Sequence, residues 1–423
     1  MQIEIAPRPA SRRRAALTIL VVTPIATLLL MAMIMAGRNR RFSADELVPA
    51  LVASLLFGLI LAVTLYRLSR EGHAARPSTL YLLPEAVCWQ PGGGMAVEIR
   101  YQDLRFAGWA GRGPWKALCL TAADPRASIS IRRDAFAEPA LAEAALAEIE
   151  RHIAAIPRAE AWRGDLARRR TLIDRLTSGK TRMAWTLAAV AVLCFVVESA
   201  AGAFHDVEKL AALGANAPSL VAQGEWFRLA TATFLHVNLM HLFANLWALY
   251  VLGRTLEPLL GHSRFLTVFL VSSLAGSALS AAVGLAALSV GASTGLYGLA
   301  GAQLVLLWRW PTAFPNPPEN RRWLALVWLF VLPILVTRKV DNLAHLGGFA
   351  GGCLLMLLVP RTIDLLDLPL RHRGLFRVAA ALLVALFLYA ATQVPWVRSG
   401  QWRSDLRIGG ATPAALIQTS RPL

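Results

Sequence analysis

The stretch GASTGLYGLAG, residues 291–301, sets Ser293 between glycines at the start of a long apolar run. A hydroxyl gains little by packing there, so its chemistry is the first question. A serine becomes a nucleophile when a neutral imidazole beside it can take its proton. The chain has eight histidines, and three of them, His236, His241 and His345, fall in runs apolar enough to lie in a bilayer. An ionisable group in hydrocarbon is costly and marks a functional candidate. Any one of the three, taken alone, reads equally well as a histidine satisfied by an interhelical hydrogen bond.

Spacing separates these readings. In FLHVNLMHLFANLWAL, His241 and Asn245 are four residues apart and share a helix face, with His236 one turn further out. An imidazole beside a carboxamide offers two donors that can converge on a developing oxyanion. Gly291 directly precedes the serine segment, and Ser293, Tyr297 and Gly301 fall on one helical stripe. In AHLGGFAGG, His345, Gly348 and Gly352 also share a face. Helices faced with glycine pack nearly backbone to backbone. Such contact brings Ser293 within hydrogen-bond reach of His345, with Tyr297 free to stack on the imidazole. Asp341 and Glu198 lie at span ends, so the expected unit is a dyad without a third, acidic member. Small-residue stripes are also common plain packing devices in membranes, and the glycines alone decide nothing.

These residues must be held by membrane-spanning helices. The 423 residues are 56% hydrophobic with a positive mean hydropathy, the signature of an integral membrane protein. Spans are expected near 15–36, 47–66, 183–201, 229–252, 264–288, 293–310, 323–337, 344–360 and 375–396. The first follows Arg12, Arg13 and Arg14 but exceeds a signal-peptide core, and it reads as a retained anchor. The net charge of +17 does not point to nucleic acid, because most cations flank spans. They put the N-terminus, residues 67–182 and the 311–322 loop on the cytoplasmic side, with Arg38, Arg40 and Arg41 against that pattern. Cys88, Cys119, Cys194 and Cys353 have no paired spacing, so no disulfide framework is implied.

Four parts follow: a two-span helical hairpin (1–66), a soluble β-rich cytosolic domain (67–182), a seven-span bundle (183–396) and a tail (397–423). The fold class is mainly α and polytopic, with a small α+β insert. The insert begins with strand-like runs around a Pro-Gly-Gly-Gly turn at 91–94. It ends in a helix, PALAEAALAEIERHIAAI, with an apolar stripe. That element order resembles a pleckstrin-homology fold, which does not fix a function, and the insert's partner stays unnamed.

The bundle resembles the rhomboid family of intramembrane serine proteases. The residues that carry the resemblance are GEWFRLATATFLHVNLMHLFANLWALYVLGRTLEP (224–258), GASTGLYGLAG (291–301) and AHLGGFAGG (344–352). It implies a six-plus-one helical bundle, Ser293 as nucleophile and His345 as general base. It further implies an oxyanion hole from His241, Asn245 and the Ser293 N–H, with Tyr297, His236 and Gly291 in support. Glu225, Trp226 and Arg228 match a motif in the loop after the first core span, and 323–337 matches a helix proposed to gate substrate entry. The implied substrates are single-span membrane proteins in the lipid bilayer, with no cofactor and no metal. A bacterial inner membrane, with the site opening to the periplasm, fits cysteine usage and charge. One residue departs: Thr294 stands where the family usually has glycine, and its β-branch is expected to narrow substrate approach or lower activity.

Three other classes compete. A catalytically inactive rhomboid-like protein that holds membrane clients has Thr294 as its support. A proton-relay transporter would use the three histidines but needs internal repeats, and none is evident. A metalloprotease would need His-Glu-x-x-His or a similar set, which the sequence lacks.

Overall fold

The computed structural model describes residues 1–5, 76–92, 95–111, 116–122, 124, 127–157, 159–203, 206–310, 341–360, 366–370 and 372–394. The hairpin spans at 15–36 and 47–66, the span at 323–337 and the tail at 397–423 lie outside these residues. The chain divides into two units, Met1–Leu166 and Ala167–Leu423.

The described residues of the first unit form seven antiparallel strands and a helix. Strands β1 (Gln2–Ile5), β2 (Arg76–Leu82), β3 (Ala86–Gly92) and β4 (Val97–Arg100) form one sheet in that order. Strands β5 (Leu104–Ala110), β6 (Ala117–Ala122) and β7 (Ser128–Arg132) form a second. Helix α1 (Pro139–Ala155) follows, with proline in its first turn, where the missing N–H costs nothing. Alternation is clearest in β7, where Ile129 and Ile131 are buried and Ser128 and Ser130 are exposed, the period of a half-buried strand. These isoleucines, with Leu80, Val87, Leu118 and Leu120, share one core with Ala142, Ala145 and Ile149 of α1. One expectation fails here. Residues 2–5 do not belong to a helical hairpin; Gln2, Ile3, Glu4 and Ile5 pair with Tyr81, Leu80, Thr79 and Ser78. QIEI is a four-residue run with alternating burial, too short to call from sequence alone.

Helix α2 (Glu160–Ser178) carries the boundary between the units. The second unit is helical: α3 (Arg182–Ala200), α4 (Val207–Ala212), α5 (Pro218–Ala222), α6 (Arg228–Thr231), α7 (Leu239–Leu260), α8 (His262–Val283), α9 (Ser293–Arg309), α10 (Asn342–Leu357) and α11 (Arg373–Thr392). By length and composition, three helical stretches among the described residues can cross a membrane: Glu160–Ala200, His262–Val283 and Arg373–Thr392. Large apolar side chains stay exposed on their surfaces, Leu193 and Val196 on α3 and Leu382 and Leu388 on α11 among them. Such surface is stable only against lipid. The chain is an integral membrane protein.

The expected single span at 229–252 is broken. Arg228–Phe234 and Leu239–Leu260 meet at 91°. The break falls where Asn238 caps α7, its side chain accepting the His241 N–H at 2.8 Å. The preceding segment ends at Phe234, with Leu235 already extended, and an N-cap residue also needs a non-helical backbone. Here Asn238 is extended, with φ −164° and ψ 169°.

Helices α8, α9 and α10 pack against one another through glycine. A β-carbon on Gly348 would stand 2.1 Å from the Thr294 carbonyl oxygen, and one on Gly352 would stand 1.8 Å from that of Gly298. From α9, a β-carbon on Gly301 would stand 2.3 Å from the Phe349 carbonyl. From α8, one on Gly276 would stand 2.3 Å from the Ala344 carbonyl. None of these sites has room for a methyl group. Away from the glycine seam, Leu252, Leu256, Phe265, Phe269, Leu296 and Leu306 form the apolar core.

Candidate active site

Ser293 is the first residue of α9 and His345 lies in the first turn of α10. The glycine seam brings them together: Oγ of Ser293 lies 2.7 Å from Nε2 of His345. Tyr297, one turn along α9, stacks on the imidazole with ring centroids 4.2 Å apart and planes at 25°. Two rotations of the His345 ring are thereby restrained, one by the hydroxyl and one by the stacked phenol. Ser293 is partly accessible, whereas His345 and Tyr297 are buried.

Asp341 is not a third member. Its Oδ1 accepts the Ala344 N–H at 3.0 Å, capping α10, and its Oδ2 accepts from the Ser280 hydroxyl. Among the described residues, no side chain reaches Nδ1 of His345.

Gly291 shapes the space beside the hydroxyl. Its φ is +127°, a conformation that side chains rarely adopt. Its N–H donates to the Ala232 carbonyl at 2.9 Å. A β-carbon there would stand 2.7 Å from Cε1 and 2.9 Å from Nε2 of His241, and 3.6 Å from Ser293 Oγ. His241 and Ser293 thus border one small space that glycine leaves open. Asn245, a turn below His241, is buried, and its Nδ2 donates to the His241 carbonyl at 2.8 Å. One of its two amide hydrogens is occupied this way, and the amide retains a second donor.

His236 sits in the linker before α7, not on the helix one turn above His241. It is fully buried, and its ring meets that of His241 edge-on at 5.1 Å. Sequence reasoning passed over what holds it. Glu198, at the end of α3 and fully buried, accepts the His236 backbone N–H at 3.1 and 3.0 Å through its two oxygens. The signal was a carboxylate within an apolar run, which is rare without a partner. Also missed was Asn216, whose Nδ2 donates to the Ser277 carbonyl at 3.0 Å and whose backbone bridges Ser289. It fixes the approach to Gly291.

The loop after α3 is held by Arg228, which is fully buried. It donates to Glu225 Oε2 through Nε and Nη2, at 2.8 and 2.5 Å, and through Nη1 to the carbonyls of Ala211 and, at 3.0 Å, Ala215. Trp226 is exposed.

Thr294 does not reach the cleft. Its side chain is buried, and its Cβ lies 3.1 Å from where a Gly276 β-carbon would stand. The expected narrowing of substrate approach gives way to a local exchange: a branched residue on α9 fills space that Gly276 leaves on α8.

Among the described residues, no group of three or more His, Cys, Asp or Glu could hold a metal. The arrangement offers a partly accessible hydroxyl on a buried imidazole, with a second imidazole and an amide across a narrow space.

Residues 223–362, which include every residue of this site except Glu198 and Asn216, match the family model described as Rhomboid domain. The chain is 31% identical over 192 residues to Rhomboid protease GluP of Bacillus subtilis (strain 168), covering 44% of this chain and 36% of that protein. It is 39% identical over 155 residues to RHOMBOID-like protein 7 of Arabidopsis thaliana, covering 35% and 47% respectively. It is 31% identical over 177 residues to Rhomboid-like protease 1 of Toxoplasma gondii, covering 41% and 60%. The matches span less than two thirds of each relative's own length. These matches fall on the segment that carries the dyad geometry, so residues 223–362 of this chain are similar to a Rhomboid domain.

Proposed function

We propose that this chain is an intramembrane serine endopeptidase that cleaves single-span membrane proteins with Ser293 as nucleophile and His345 as general base. The observation that carries the proposal is the 2.7 Å approach of the hydroxyl to the imidazole under a stacked tyrosine. In this mechanism Nε2 of His345 takes the Ser293 proton as Oγ attacks the scissile carbonyl. The negative charge that develops on the carbonyl oxygen is met by His241, by the second N–H of Asn245 and by the Ser293 backbone N–H. The hydrogen bond that already holds the Asn245 amide to the His241 carbonyl supports a donor set needing little reorganisation. His345 then protonates the leaving amine. A water molecule, activated by the same imidazole, hydrolyses the acyl-enzyme. No metal or organic cofactor enters.

The site's depth follows from helix length. Helix α9 has 17 residues, about 25 Å at 1.5 Å each, against a hydrocarbon core of about 30 Å. With Arg309 at one interface, Ser293 begins several ångströms below the other. The substrate must therefore unwind near its end, because a peptide bond inside a helix is shielded. The charge distribution directs this end away from the cytoplasm, to the periplasm in a bacterial inner membrane. The β-rich unit, which takes in residues 2–5 as well as most of 67–182, is read as a cytosolic module and the helical unit as a membrane protease.

The test is labelling of the full chain in vesicles with a fluorophosphonate, alongside cleavage of a single-span reporter. Wild type is expected to label and cut; Ser293→Ala is expected to do neither, and His345→Ala to lose about 10³-fold or more. Equal cleavage by wild type and Ser293→Ala would end the proposal. A wild type that binds the reporter yet neither labels nor cuts would favour the inactive, client-holding reading.

A further inference from the structure

At the end of the bundle opposite Ser293, the turn between α7 and α8 and the start of α11 enclose a cavity of about 310 Å³. Its wall carries His262, Arg264, Arg373 and Arg377, and neither Asp nor Glu. Arg264 is buried; its Nη1 donates to the Leu368 carbonyl, and its guanidinium lies 4.2 Å from the Phe376 ring centroid. Arg373 and Arg377 are exposed and one turn apart on α11. Like charges at that spacing repel, and no carboxylate among the described residues is paired with either. The nearby Glu257 is committed elsewhere: it accepts the N–H groups of Met183 and Ala184 at 2.8 and 2.9 Å and pairs with His262 at 2.5 Å. Two long helices, α8 and α11, also begin at this cavity without a side-chain cap. Their positive ends add to the field.

We infer that this cavity binds the phosphate of an anionic phospholipid headgroup, held between Arg264, Arg373 and Arg377. Guanidinium groups match phosphate in geometry as well as charge. A lipid, not a free ion, is the occupant because the wall is amphipathic. Pro369, Leu370 and Phe376 share it with the arginines, and Leu370, Leu375 and Val378 expose apolar surface beside it. Acyl chains would cover that surface, which inorganic phosphate would leave bare. The cavity is remote from the dyad, so this site does not depend on the proposed chemistry.

The test uses the full chain in neutral detergent, stripped of lipid. It is titrated with short-chain phosphatidylglycerol, phosphatidylcholine of equal chain length and inorganic phosphate. Wild type is expected to bind phosphatidylglycerol saturably, and the other two at least about ten-fold more weakly. Arg373→Gln and Arg377→Gln should each weaken phosphatidylglycerol binding about five-fold, and together about twenty-five-fold. Both side chains are exposed, so the unfolding midpoint should not move, and cleavage of the reporter in neutral lipid should not change. Phosphatidylglycerol binding unaltered in the double variant, or matched by phosphatidylcholine, would overturn the site. Inorganic phosphate binding as tightly as phosphatidylglycerol would overturn the lipid as its occupant.

Discussion

Replacing Gly348 by alanine tests the glycine seam most directly. The new β-carbon would stand 2.1 Å from the Thr294 carbonyl oxygen and 2.9 Å from its carbon. Carbon–oxygen contacts settle near 3.3 Å, so the two helices must part by roughly 1 Å at this level. Both contacts are backbone, so no rotamer change can absorb the shift. Ser293 adjoins Thr294, and His345 precedes Gly348 by one turn, so the separation acts on the dyad. A 2.7 Å contact lengthened by roughly 1 Å lies beyond hydrogen-bond range. Misplacement on that scale costs about 10²-fold in rate, and overpacking of this kind costs about 1–3 kcal/mol in stability. The assay pairs reporter cleavage in vesicles with thermal unfolding. Gly374→Ala is the control: a β-carbon there meets nothing within 4 Å, so activity should hold. If Gly348→Ala cleaves at the wild-type rate with an unchanged unfolding midpoint, close helix contact does not set the dyad, and the geometric argument fails.

Three further predictions rest on other contacts. Thr294→Gly should not raise activity, because the threonine packs toward Gly276 and not into the cleft; it should lower stability by about a few tenths of a kcal/mol from helix propensity, with lost packing added, read by thermal unfolding. Glu198→Ala should orphan the buried His236 N–H at a cost of about 1–3 kcal/mol and slow cleavage through the His236–His241 contact, whereas Glu198→Gln should restore most of both. In the β-rich unit, burial, and secondarily Glu148, push the Tyr101 phenol up to about 12 from 10. The folded state thus holds that proton where the unfolded state releases it, so stability should fall as pH rises from about 10 to 12. Hydrogen exchange of β2–β4 in the full chain should show that fall, and Tyr101→Phe should flatten it.

What the sequence disclosed was whatever a helical period encodes. Ser293 with Tyr297, and His345 with Gly348 and Gly352, lie at spacings that fix a shared face in any α-helix, so their meeting followed once glycine was seen to remove the side chains between. The same logic misdirected the reading of His236: counting turns assumes a helix, and helical geometry has already ended at Leu235 and resumes only after Asn238. Nothing in the period of FLHVNLMH distinguishes a continuous span from two segments at 91°; the cap does, and an Asn before an apolar run was the available sign.

Thr294 marks the second limit. Its departure from the family pattern was legible, but its consequence depended on Gly276, eighteen residues earlier on another helix. Such pairings between elements carry no local signature. Glu198 and the strand at residues 2–5 were hidden for the same reason, since each is defined by a partner distant in the chain: the His236 backbone 38 residues away, and Leu80 of β2. Periodicity thus locates the groups that face one another, whereas the residues that hold them in place emerge only where backbone donors and acceptors are traced to their partners. In this protein those second residues, Glu198, Asn216, Asp341 and Gly276, hold the elements around the dyad, and their replacement should disturb cleavage without touching Ser293 or His345.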